Sequence, residues 1–151
     1  MEKLNNLITE LEQHTVFLDK LNPLVSEASV GWHIEHSLKV ITQIIDTVEK
    51  SNPKDYTWRF NLIGALVLSL QTIPRGKGKA PKSVIPEGDI TIDTLKHHID
   101  KTRLMIHKTE NFESNNYFAH PYFGNLNVKP TKKFLSIHTN HHLKIIKAII
   151  K

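Results

Sequence analysis

Apolar residues recur three and four positions apart through most of this chain, and no stretch alternates apolar with polar convincingly. That spacing lines one face of a helix, whereas a half-buried strand requires alternation. The pattern therefore predicts an all-α fold. Leu4, Leu7, Ile8, Leu11, Thr15 and Leu18 mark a first helix over about residues 3–21, stopped by Asn22-Pro23. Ser26 and Ser29 both suit the N-cap of a second helix. Its stripe of Ile34, Leu38, Ile41, Ile44, Ile45 and Val48 runs to about Lys50, before Ser51-Asn52-Pro53. A third, more uniformly apolar segment, about Thr57 to Ile73, is expected to be largely buried. A fourth helix reads from about Thr91 to Thr109 on Ile92, Leu95, Ile99 and Met105. The last begins near Pro130, which suits a first-turn position, and runs to the C-terminus.

A chain of 151 residues is the size of one domain, so residues 1–151 are expected to share one core. The expected architecture is a bundle of four main helices with one extra helical segment and two long loops. Three prolines and three glycines forbid regular structure in the first loop, Pro74 to Gly88. A connection of that length reads as a functional lid or a mobile segment. The second loop, Asn111 to Pro130, contains His120-Pro121-Tyr122-Phe123-Gly124.

Composition narrows the chemistry. There is no cysteine, which excludes disulfides, thiolate metal sites and cysteine nucleophiles. The N-terminal segment is charged throughout, and apolar runs such as residues 62–68 are too short to span a bilayer. A soluble, cytoplasmic protein without a membrane partner is expected. Of the formal net charge of +5, Arg75, Lys77, Lys79 and Lys82 supply four. Basicity confined to one loop without aromatic residues argues against nucleic acid as a partner. Arg75, Lys77 and Lys79 lie among glycines and are candidates to cradle a phosphate or carboxylate. The spacing is not that of a Walker motif, and a solvated loop is the alternative.

Ten histidines is a high count for this length, and three fall in His138-Thr139-Asn140-His141-His142. His138 and His142 are four apart, so on a helix they project one turn above the other and can grip one metal ion. Phe134, His138, Ile145 and Ile149 share a face, with His142 beside it, so the pair points toward the bundle interior. His141 faces differently, as a surface group or a support to the ligands. A third ligand is available from Trp32-His33-Ile34-Glu35-His36. On a helical wheel His33 falls within the apolar arc and His36 at its edge; either meets the last helix if the two pack side by side. Glu35 points elsewhere. His120 reaches the site from its loop or stabilises its own turn.

These residues resemble a family. The Trp-His-x-x-His turn opening helix two and the His-x-x-x-His of the last helix look like the DinB-like (DinB/YfiT) superfamily. Pro-Arg-Gly-Lys-Gly-Lys-Ala-Pro and His-Pro-Tyr-Phe-Gly look like one uncharacterised subfamily of it. The resemblance covers about residue 26 to the end. It implies a four-helix bundle, often a homodimer, that holds nickel, zinc or iron with three histidines. By that likeness the ligands are His36, His138 and His142, with His33 as the substitute. Three imidazoles leave the ion an open coordination position, which suits a metal-dependent hydrolase or thiol (S-)transferase acting on a small molecule. The alternative is a non-catalytic helical protein that dimerises through its bundle faces.

Overall fold

The computed structural model describes residues 1–76 and 80–151. Its helices are α1 (Glu2–Gln13), α2 (Val30–Lys50), α3 (Leu62–Leu70), α4 (Ile92–Lys108) and α5 (Val128–Ile150). Two short strands lie between α4 and α5, β1 (Tyr117–His120) and β2 (Gly124–Asn127). The all-α expectation thus holds for the bulk of the described chain, with one hairpin added.

The first helix is shorter than the apolar spacing suggested. At its end His14 Nδ1 donates to the Glu10 carbonyl and Thr15 Oγ1 to the Glu12 carbonyl, each at 2.7 Å. Side chains so occupy carbonyls that have no helical partner, and the chain tightens into a 3-10 turn at Thr15–Phe17. At the start of α2, Ser29 Oγ accepts the Trp32 N–H, which makes Ser29 the cap. Gly31 then lets this turn press on the preceding chain. A Cβ there would lie 3.1 Å from the Leu18 carbonyl oxygen and 3.2 Å from the Ile90 side chain. The turn that carries Trp32, His33 and His36 is therefore seated by backbone contact.

α1 and α2 each pack against both α4 and α5. Leu4, Ile8 and Leu11 meet Ile34, Leu38, Ile41 and Ile45 of α2, Leu95, Ile99 and Ile106 of α4, and Leu135, Leu143 and Ile146 of α5 in one buried cluster. Of the stripes foreseen for α2 and α4, Ile34, Leu38, Ile41, Ile45, Val48, Leu95 and Ile99 are on these core faces, whereas Ile44 and Met105 are half-buried and Ile92 is exposed at the start of α4.

Two expectations are corrected. Residues 57–73 are not largely buried: only Gly64 and Val67 of α3 are, while Leu62, Ile63, Leu66 and Leu70 face outward. Nine residues give a helix one narrow contact stripe, and among the described residues this one is buried only along it. Nor is 111–130 merely a loop. Tyr117 pairs with Asn127 and His120 with Gly124 in an antiparallel ladder. Strands of four residues are too short to register an alternation, and Gly124 closes the turn at a φ of +73° that other residues rarely adopt.

Within Pro74 to Gly88, residues 77–79 lie outside the described residues. The part from 81 onward is tied to α2: Lys39 Nζ donates to the Ile85 carbonyl at 2.8 Å, and Val84 is buried. No helix among the described residues is long and apolar enough to cross a membrane.

The contrast between core and α3 is measurable. Ile41→Ala should cost about 2–5 kcal/mol of stability in urea unfolding. Leu66→Ala, despite an equally apolar side chain, should stay within about 0.5 kcal/mol of wild type.

Candidate metal centre

α2 and α5 lie side by side, and the histidines face one another across the seam. The ring centroids of His36, His138 and His142 form a triangle, with separations of 5.2 Å (36 to 138), 4.7 Å (36 to 142) and 4.6 Å (138 to 142). One ring nitrogen from each lies within 4.8 Å of the others, close enough to hold a metal ion. The geometry thus brings together the three residues that the resemblance implied. His33, which the helical wheel slightly preferred, sits behind the triangle.

Hydrogen bonds set how each ring is presented. His36 Nδ1 lies 2.9 Å from the Val84 carbonyl oxygen. A carbonyl only accepts, so His36 carries its proton on Nδ1 and leaves the Nε2 lone pair free. Trp32 stacks on the same ring at 4.9 Å and 12°. His142 Nδ1 lies 2.9 Å from His33 Nδ1, and His33 Nε2 lies 3.0 Å from Ser26 Oγ. If His142 donates to His33, the proton of His33 is on Nε2 and points to Ser26, and His142 too keeps Nε2 for an ion. Such outer hydrogen bonds fix the tautomer and orientation of metal-binding imidazoles.

His138 breaks the pattern. Its Nδ1 is the one fully enclosed side-chain polar atom among the described residues without a hydrogen bond. Leaving such a group unpaired costs roughly 1–3 kcal/mol. A cation held in the triangle gives that imidazole a partner, so the residues present fit a metal ion.

Burial keeps the rings neutral, as a ligand must be. His33 is lowered to about 4, by desolvation and then by the neighbouring His36 and His141 and by Arg75. His36 is lowered by desolvation. His138 and His142 fall well below the usual histidine range, by desolvation first and by neighbouring histidines second, chiefly His36 for His138 and His138 for His142.

The triangle opens onto a cavity of about 490 Å³. Trp32, Val40, Ile44, Phe118, Phe123 and Phe134 supply apolar wall, and no acidic side chain among the described residues lines it. His141 also lines this cavity, and its pKa is lowered by desolvation and by Arg75. Its other side borders a smaller cleft of about 280 Å³ that Arg75 and Lys144 also line. Of the three anion-binding candidates, Arg75 stands at this cleft; Lys77 and Lys79 lie outside the described residues.

His120 reaches the cavity wall and also holds its own turn. Its Nδ1 accepts the backbone N–H groups of Tyr122 and Phe123, and its ring stacks on Phe123. Glu35 is directed away, with its carboxylate 2.9 Å from His98 Nδ1 on α4. Three features escaped sequence reasoning: the Val84 carbonyl, the Ser26–His33 link and the hairpin that carries His120. Ser26 had registered only as a candidate cap.

Comparison with family models, curated proteins and solved structures returned no match.

Burial of these histidines makes stability depend on pH. The unfolded chain binds a proton at His33 near 6.5, and the folded chain only near 4. The unfolded state therefore holds more protons between those values, and acid favours it. Stability should be full above about pH 6.5, fall as pH drops toward 4, and recover none of the loss below it. His33 alone should contribute a slope of up to about 1.4 kcal/mol per pH unit in that window. Urea midpoints that stay flat from pH 7 to 4.5 would contradict the burial.

Proposed function

We propose that the chain is a DinB-like four-helix-bundle protein whose His36, His138 and His142 hold one divalent ion, and that it acts as a metal-dependent hydrolase or thiol transferase on a small molecule. The observation that carries this reading is the convergence of three neutral imidazoles from two helices beside an accessible cavity. The mutual packing of α1, α2, α4 and α5 supports the bundle assignment. Nickel, zinc and iron all accept imidazole, so the donor set leaves the choice among them open.

Three ligands leave a coordination position for water or a substrate thiol, and a divalent ion there lowers the pKa of what it binds, which supplies a nucleophile at neutral pH. The chain's own residues do the rest. Val84 and His33 hold His36 and His142 in their tautomers. The aromatic wall excludes bulk water and receives an apolar body. Three uncharged ligands and no lining carboxylate leave the centre's positive charge uncompensated, so it favours an anionic ligand. Arg75 and Lys144, across His141, extend that preference to a substrate with a second negative group.

Protein purified without a histidine tag is expected to carry or take up one divalent ion per chain by elemental analysis. His138→Ala should abolish uptake while circular dichroism stays native. Folded wild-type chain that refuses metal would falsify the reading.

α3 favours a second reading, that of a non-catalytic dimerisation protein whose histidines are structural. Trp58, Phe60, Leu62, Ile63, Leu66 and Leu70 are each more than half exposed, and the helix carries no charge. At roughly 100 Å² apiece they offer on the order of 600 Å², close to the ~800 Å² per partner of a standard interface. A second copy of the chain, paired face to face, is the occupant this surface fits. Sedimentation velocity should give a dimer that Leu66→Glu converts to a folded monomer. A wild-type monomer at every concentration would dismiss the interface. Dimerisation leaves the metal reading standing; unchanged metal content in His138→Ala would not.

A further inference from the structure

The hairpin turn presents a polar group at the cavity that metal binding does not use. His120 Nδ1 accepts two N–H groups, from Tyr122 at 3.1 Å and Phe123 at 3.2 Å. A nitrogen that accepts carries no proton, so a neutral ring bears its proton on Nε2. Burial keeps the ring neutral. The ring is also clamped, stacked on Phe123 at 3.9 Å and 3° and set edge-on to Phe134 at 4.8 Å. Turning it over would break both backbone hydrogen bonds. Nε2 makes no hydrogen bond to any described residue, and His120 lines the same cavity as His36, His138 and His142.

A fixed N–H in a largely apolar wall is a preorganised donor, and it needs no reorientation when an acceptor arrives. We propose that His120 Nε2–H donates to an oxygen of the ligand, so that the cavity takes a small, mainly apolar or aromatic molecule bearing a carboxylate or carbonyl oxygen. The proposal rests on the metal reading for where the ligand's reactive end lies, but the donor itself does not.

Long-range nitrogen–proton NMR of the metal-free chain at neutral pH reads the tautomer. The Nε2–H form is expected at His120; the Nδ1–H form or an imidazolium overturns the proposal. Zinc-loaded protein is then titrated with benzoate and with benzenethiolate, which share a ring and a negative charge, although only benzoate offers oxygen acceptors. His120→Asn keeps an acceptor for the turn's N–H groups but does not reach as far as Nε2. It should weaken benzoate roughly tenfold to a hundredfold and leave benzenethiolate unchanged. Equal losses for both probes, or no loss for benzoate, would overturn the donor role. A wild-type chain that takes up neither zinc, nickel nor iron sinks the metal reading alone. Benzoate is then titrated into metal-free protein: movement of the His120 Nε2–H resonance supports the donor, and its constancy overturns it.

Discussion

Polar rings buried where two helices meet must find most of their partners within the fold, because the packed seam around them leaves them little exposed surface. His33, His36 and His142 are almost wholly buried between α2 and α5, and each lost hydrogen bond there costs about as much as a deleted methylene or two. The surrounding fold supplies most of the partners. Ser29 caps α2, Gly31 seats its first turn on Leu18, and the segment after residue 81 lies on α2 so that Val84 offers its carbonyl to His36. Ser26, at the end of the preceding loop, takes His33. Among the described residues His138 alone is left without a partner on an enclosed side-chain nitrogen, and its ring lines the cavity together with those of His36 and His142.

How far the sequence foretold this depends on how far apart the determinants lie along the chain. The stripe of Ile34, Leu38, Ile41 and Ile45 is a periodic signal within one helix, and it reads directly as core. His138 and His142 are local in the same sense: spacing of four places them on one face before any tertiary contact is known. His36 against His33 is not local. The wheel slightly favours His33 because its position is the more apolar, and His33 is as fully buried as His36; which ring reaches the triangle depends on how α5 lies across α2, which no single-helix pattern contains. The fold was therefore legible in its helices and blurred in their mutual setting.

The failures at α3 and at the hairpin share a cause. Leu62-Ile63-Gly64-Ala65-Leu66-Val67-Leu68 is apolar all round, and hydrophobicity alone says that such a surface will be covered, without saying by what. The described residues cover only the Gly64 and Val67 side. There a missing Cβ lets α3 approach Phe123, with an ideal Cβ only 3.0 Å from that residue's side chain. Asn61 adds a hydrogen bond to the Tyr122 carbonyl. The hairpin is two strands of four residues, held by this packing rather than by strand propensity, so periodicity had nothing to detect.

That contact ties the exposed helix to the cavity. Tyr122 and Phe123 are the residues whose backbone N–H groups fix His120, and α3 rests on the same turn through Asn61 and Gly64. A load on the outer face of α3 is thus passed, through two side-chain contacts, to the turn that orients an imidazole in the cavity wall. If a second chain covers that face, it stiffens the wall without contributing a residue to it. Rigid support of this kind matters most where the group supported is a single donor of fixed tautomer, because a small rotation of the turn would carry its N–H away from any ligand held at the histidine triangle.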